Sequence, residues 1–351
     1  MRARIQHLDG MRGLAILLVI GFHAYSRWPE MLHYVSRTKD FPLFAFGYLG
    51  VPLFFMISGF VIFMTLDKSE SYISFLKKRW LRLFPAMFIV SLMIYLTANL
   101  FPERPAGSPT LLNLVPGLIF TNPETLSMLS GVEFKSLEGS FWSLYVEAVF
   151  YILIGAVYYL AGRKYCLPAL ILPMLVLSAA SAIKMMGYAP LADVISKFGF
   201  IHYSWFMIGC LVYERLHNRD KLYHYGLTFI AILINLSFYV KTSGLSVLLP
   251  LAMAFILFIA SFYSPKLEKI LSTPFLTAIG FVSYALYLIH ENLMIALLVK
   301  LDHAIKNDYV MMFMSIPVVT MIYLIALFIT KYAEPAFRDM LKRKRKQPQI
   351  G

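Results

Sequence analysis

The sequence is poor in charge. Only 15% of its 351 residues are Asp, Glu, Lys or Arg, whereas 59% are hydrophobic. A soluble globular chain carries about 25% charged residues, so a mean hydropathy of +0.69 excludes a soluble enzyme and a disordered chain. It also excludes an outer-membrane barrel, whose alternating strands give only weak hydropathy. The two cysteines, Cys166 and Cys210, both lie in apolar stretches. They offer no disulfide framework, and no cluster has the spacing of metal ligands. Internal repeats and low-complexity segments are lacking too. What is abundant is continuous apolar sequence, the mark of an all-α, polytopic integral membrane protein.

Ten apolar runs are long enough to predict transmembrane helices: 8–28, 43–66, 83–101, 141–161, 165–183, 198–216, 222–240, 245–263, 275–299 and 309–331. The first has a short apolar heart like a signal peptide, but Phe22-His23-Ala24-Tyr25-Ser26 is a poor cleavage site, and it is read as a retained helix. The stretch 102–140 contains five prolines, and its apolar centre, Leu111 to Phe120, predicts a re-entrant or interfacial segment. Residues 70–82 read as an amphipathic helix on the cytoplasmic interface. With the N-terminus inside, twenty-one Lys and Arg fall on the cytoplasmic side and ten outside. The positive-inside rule therefore predicts cytoplasmic termini. The expected organisation is a transmembrane domain over 1–335 and a basic tail over 336–351. The net charge of +13 lies largely beside membrane segments, in Lys77-Lys78-Arg79 and Lys342-Arg343-Lys344-Arg345-Lys346. It points to anionic lipids and not to nucleic acid.

Ionisable residues inside a span cost a few kcal/mol, so each is a functional candidate. Arg12 and His23 are eleven residues apart, almost three whole turns, and project from one helix face about 16 Å apart along the axis. His23, Glu147, His290 and Glu291 fall at similar depth in the outer half of the membrane, from three helices. Arg79 and Arg82, neighbours at i and i+3, sit at the cytoplasmic mouth. Each also has a structural reading: Arg12 snorkels to the interface, while His23 or Glu147 holds helices together. A proton relay would use the same groups.

Several segments then become recognisable in order. Leu8-Asp9-Gly10-Met11-Arg12-Gly13-Leu14-Ala15, followed by His23, resembles the opening of the acyltransferase 3 family of integral membrane acyltransferases, including its R-x10-H signature. Gly50-Val51-Pro52-Leu53-Phe54-Phe55-Met56-Ile57-Ser58-Gly59-Phe60 and Arg79-Trp80-Leu81-Arg82-Leu83-Phe84-Pro85 resemble its second-helix motif and its R-x-x-R segment. Ser140-Phe141-Trp142-Ser143-Leu144 with Val146-Glu147, Ser283-Tyr284-Ala285-Leu286-Tyr287-Leu288-Ile289-His290, and Glu334-Pro335-Ala336-Phe337-Arg338 resemble its later motifs. Pro52 stands where many members have Asp, and Asn292 where many have Pro. The C-terminal esterase-like domain of some members is not expected here.

The resemblance implies transfer of an acyl group, commonly acetyl, from cytoplasmic acyl-CoA to a hydroxyl of a carbohydrate or lipid-linked glycan at the outer face of the inner (plasma) membrane. Acyl-CoA is then a co-substrate, with no permanently bound cofactor and no metal. Arg79, Arg82 and Arg12 are expected to hold its phosphates, because guanidinium groups bind them through forked, charge-assisted hydrogen bonds. His23 is expected to act as general base or as transient acyl carrier, since an imidazole titrates near neutral pH. Glu147 would orient it, and His290 would serve as acid, oxyanion donor or structural partner. Trp142, Tyr145 and Glu291 are candidate acceptor contacts, with Phe141 and Tyr151 as further faces for stacking on a sugar, although interfacial aromatics at a span end read the same way. The rival reading from another class is a transporter or flippase. The acceptor and the oligomeric state are not legible in the sequence.

Overall fold

The computed structural model describes residues 5–343, apart from 181–183, 185, 188–192, 194 and 196. Ten principal helices stand at the ten apolar runs: α1 (Gln6–Tyr25), α2 (Gly50–Leu66), α3 (Tyr72–Thr97), α4 (Trp142–Leu160), α5 (Cys166–Ser178), α6 (Tyr203–Leu216), α7 (Leu222–Ser243), α8 (Leu248–Ala260), α9 (Pro274–Ile305) and α10 (Asp308–Phe328). No strand occurs among the described residues. A chain without water along its flanks must satisfy its N–H and C=O groups within each segment, and the helix does so. Polar caps start several helices. Ser71 accepts from the Ser74 N–H at 3.2 Å, and Asn307 accepts from Tyr309 and Val310.

Among the described residues, seven helices are long and apolar enough to cross a membrane. An eighth crossing forms if the segment Leu245–Ala260 is counted together with Pro265–Leu271 across their 101° bend. The expected count of ten is not reached by this measure. An apolar run sets where a helix can form but not how far it continues: α5 and α6 have 13 and 14 residues, about 20 Å of rise. The end of the expected 165–183 span lies partly outside the described residues, as does the basic tail from 344 onward.

A second correction concerns residues 70–82. They do not form a separate interfacial helix, because α3 starts at Tyr72 and runs unbroken through Arg79 and Arg82 to Thr97. No glycine or cap breaks the pattern there, and Pro85 is accommodated within the helix. Both arginines therefore ride on the opening turns of a membrane-length helix. The re-entrant region contains a short helix, Leu114–Ile119. A methyl group on its Gly117 would lie 3.3 Å from Met87 Sδ and 3.4 Å from the Phe141 ring, so it packs against the middle of α3.

Small residues set the core. A side chain on Gly13 would lie 3.1 Å from the Gly280 nitrogen, and one on Gly280 would lie 3.2 Å from the Gly13 nitrogen. α1 and α9 therefore pack backbone to backbone, the close approach that glycine permits between membrane helices. Gly59 of α2 and Gly209 of α6 do the same against Phe206 and Phe60. α9 is the central helix, with 83% of its apolar window buried, against 22% for the peripheral α7. Its contact with α1 sets His290 and Glu291 beside His23.

Candidate active site: a cationic vestibule and a buried histidine pair

The opening of α1, the end of α2, the start of α3 and the helix Glu334–Arg343 surround one vestibule of about 1870 Å³, counting its open mouth. Seven cationic side chains line it (Arg12, Lys68, Lys78, Arg79, Arg82, Lys331 and Arg338), against the carboxylates of Asp9 and Glu334. A π-helical turn, Ile329–Ala333, joins α10 to that last helix, and such turns recur at functional sites. Arg12 Nη1 donates to Asp9 Oδ1 at 2.9 Å. Arg82 Nη1 lies 3.8 Å from Glu334 Oε1, which Arg338 also contacts.

Arg79 differs from both. It stacks over the Tyr151 ring at 4.7 Å and donates through Nη2 to its hydroxyl at 3.0 Å, while its Nε has no partner. Tyr151 in turn donates to Glu147 Oε1 at 2.5 Å, and Ser58 donates to the same oxygen. This string lines a deeper cavity of about 720 Å³ that shares Arg12, Arg79 and Arg82 with the vestibule. The cavity reaches Tyr287, whose hydroxyl donates to the Ser140 carbonyl at 3.0 Å and is bonded to Ser143 Oγ at 2.9 Å.

Behind Tyr287 lies the histidine pair. The Tyr287 and His290 rings are 5.4 Å apart, and those of His290 and His23 are 5.0 Å apart, edge to face. Neither histidine lines the cavity. The His290 Nδ1 lies 2.8 Å from the Tyr287 carbonyl. A carbonyl only accepts, so Nδ1 carries the hydrogen and Nε2 keeps its lone pair. His23 Nδ1 lies 3.4 Å from Glu291 Oε1, without the alignment of a hydrogen bond. Three buried polar atoms, His23 Nδ1, His290 Nε2 and Glu291 Oε2, are therefore left without partners in one place. Buried polar atoms are nearly always paired, so three together single this place out as a candidate for polar chemistry.

The structure redistributes several expected roles. Glu147 is bonded to Ser58 and Tyr151, and the carboxylate beside His23 is that of Glu291. Equal depth along two helices does not determine which faces meet. Trp142 packs on His202 and Phe55, with ring centroids at 4.9 and 6.1 Å, and does not line the cavity. Tyr145 faces a separate pocket with Phe120, Thr125 and Lys197. Arg12, Arg79 and Arg82 come together as expected for one binding region. The sequence reading missed the roles of Tyr287, Ser58 and Gly139. A methyl group on Gly139 would lie 2.8 Å from Glu291 Oε2, so its bare backbone makes room for that carboxylate. Tyr151 was legible in principle, one helical turn beyond Glu147. Among the described residues no group of three or more His, Cys, Asp or Glu side chains is arranged to hold a metal ion.

Comparison with known proteins places this geometry in a family context. The acyltransferase 3 family model, described as an acyltransferase domain, matches residues 5–332. An O-acetyl transferase of Shigella phage Sf6 is 27% identical over 164 residues, covering 44% of this chain and 47% of that protein. Nodulation protein 10 of Rhizobium leguminosarum bv. viciae is 31% identical over 161 residues, covering 42% of each. Protein 2 in picA locus of Rhizobium radiobacter is 30% identical over 198 residues, covering 51% of this chain and 91% of that protein. The chain spans less than half the length of the first two relatives. No solved structure matches the chain. With nearly all of its length matched by one family model, the chain belongs to the acyltransferase 3 family.

Proposed function

We propose that the protein is a membrane O-acyltransferase that moves an acyl group, acetyl in the first instance, from acyl-CoA to a hydroxyl of a carbohydrate or lipid-linked glycan. The observation that carries this reading is the convergence of three unpartnered atoms, His23 Nδ1, His290 Nε2 and Glu291 Oε2, behind a cavity whose mouth is cationic. The polyanionic end of acyl-CoA binds at Arg79, Arg82, Arg12 and the neighbouring lysines. Its thin arm follows the cavity, and the Tyr287 phenol gives up Ser140 and Ser143 to let the thioester reach the histidines.

His23 or His290 Nε2 then takes the proton of the acceptor hydroxyl as its oxygen attacks the thioester carbonyl. The carbon–sulfur bond breaks, and the same proton passes to the leaving thiolate, so the exchange is balanced. The alternative, a transient acyl group on His23, uses the same surroundings. Glu291 offsets the charge of the imidazolium as it forms, as a carboxylate does for histidine in hydrolases.

The orientation belongs to the same reading. The start of α1 and the helix Glu334–Arg343 line one vestibule, so the chain between them crosses an even number of times. Ten crossings meet that condition, with α5 and α6 extended by the turns Arg163–Tyr165 and Phe200–His202. The bias of Lys and Arg then places the vestibule and both termini on the cytoplasmic side of the plasma membrane.

The decisive experiment uses purified protein in detergent with labelled acetyl-CoA and a hydroxylated acceptor. Release of free CoA together with labelled acceptor is expected. No turnover in detergent, with uptake or flipping in sealed vesicles, would replace this reading by that of a transporter.

A further inference from the structure

One buried acid near the histidine pair is not used by the mechanism above. Glu138 is only 1% exposed and lies just before the span Gly139–Leu160. Its Oε2 accepts the N–H of Asn292 at 3.0 Å, while the Glu291 carboxylate rests against Gly139. Two consecutive residues of one segment thus cross two consecutive residues of the other, and the two carboxylates fall in one water-poor layer. The cation beside Glu138 is Arg104. Its Nη2 is 3.8 Å from Glu138 Oε1 and donates to the Leu137 carbonyl, and its Nη1 has no partner. Asn292 ties the arrangement together by donating to the Leu137 carbonyl and accepting from the Ala106 N–H.

We propose that Glu138 and Glu291 share one proton, so that the pair presents a single negative charge to His23. Glu138 is then a positioning residue of the reaction centre, an inference that rests on the acyl-transfer reading of that centre. Two carboxylates in one desolvated site resist joint ionisation, and a single cation at 3.8 Å offsets only one of them. The other charged and titratable groups facing the pair are His290 and Tyr287 on α9, His23 on α1 and Arg27 just beyond α1, while Glu103 is taken up by Lys300. The wall contributed by α3, Met93, Ile94 and Thr97, is uncharged. A small cavity lies beside Arg104 and Glu138. Burial first, and the charge of Glu291 second, raise the Glu138 carboxyl to about 8.

Infrared spectroscopy of the purified full chain tests this without relying on turnover. At neutral pH the wild type should show the carbonyl stretch of a buried carboxylic acid that fades as the pH rises through about 8. Glu138→Gln should lack that band. Arg104→Gln, which removes the cation, should keep it to higher pH. In acyl transfer, kcat of the wild type should fall over the same range, whereas Glu138→Gln removes that limb and leaves KM for acyl-CoA unchanged. A wild type with no such band, or a Glu138→Gln protein that keeps it, overturns the proposal. If Glu138→Gln does not fold, the wild-type titration and Arg104→Gln decide it. Should the band behave as expected while His23→Ala keeps full turnover, it is the acyl-transfer reading that fails, not the shared proton.

Discussion

The vestibule and the histidine pair solve opposite problems. The vestibule is wide, open to water and crowded with cations, seven against two carboxylates. Like charges can gather there because water screens them, and a polyanion completes the set. The histidine pair is closed and small, and with Glu291 it holds three polar atoms that lack partners. These groups are positioned by packing, Gly13 against Gly280 and Gly139 beneath Glu291. In the proposed reading one region binds and the other reacts. Tyr287 marks the border.

That division can be broken by substitution. The largest effect is expected from His23→Ala, which should lower acyl transfer by about a hundredfold or more, the range of a lost general base. Acyl-CoA affinity should stay the same, and a matching loss of affinity would merge the two regions into one. Next comes Arg79→Ala combined with Arg82→Ala. Charge-assisted hydrogen bonds contribute about 1.5–3 kcal/mol each, so affinity for acyl-CoA should fall at least tenfold and become less sensitive to salt. Unchanged affinity in a titration would remove the vestibule from donor binding.

Gly139→Ala sharpens the contrast on the reactive side. Its new methyl group meets the Glu291 carboxylate at 2.8 Å, and a several-fold fall in kcat with unchanged KM for acyl-CoA is expected. A normal kcat would show that Glu291 need not sit against that backbone.

The smallest effect concerns Asp67, beside the vestibule. Burial raises its carboxyl, but Arg163, Tyr213 and Arg219 outweigh this and hold it below the usual carboxylate range. A depressed acid adds stability above its ordinary range, and that contribution disappears as the pH falls through the depressed value. Thermal stability of the wild type should therefore drop on acidification through that window more than that of Asp67→Asn. Parallel curves would mean that the Asp67–Arg163–Arg219 cluster is electrostatically neutral in its effect.

How much of this was legible varies with the kind of information. Helix positions follow from apolar run length, because a backbone out of water has few alternatives to the helix. Arg12 and His23 share a face because both belong to one helix of fixed pitch. The depth of Glu147 matched that of His23, yet depth leaves rotation about the helix axis open. Glu147 turned toward Ser58 and Tyr151, and Glu291 took the place beside His23. Trp142 and Tyr145 were placed outside the cavity by that same freedom of rotation. The continuity of α3 through Arg79 was legible only as the absence of any break, which is a weak signal.

The order of apolar segments, the cationic character of one end and the periodic pairing of Arg12 with His23 were determined by the sequence alone, since each depends on local chain chemistry. Which carboxylate meets the imidazole, where the cavity ends and which acids share a buried layer were decided only by tertiary packing. The physical reason is the close contact between α1 and α9. Two helices meeting at glycine have one rotation that lets their backbones touch, and that rotation brings His290 and Glu291 to His23.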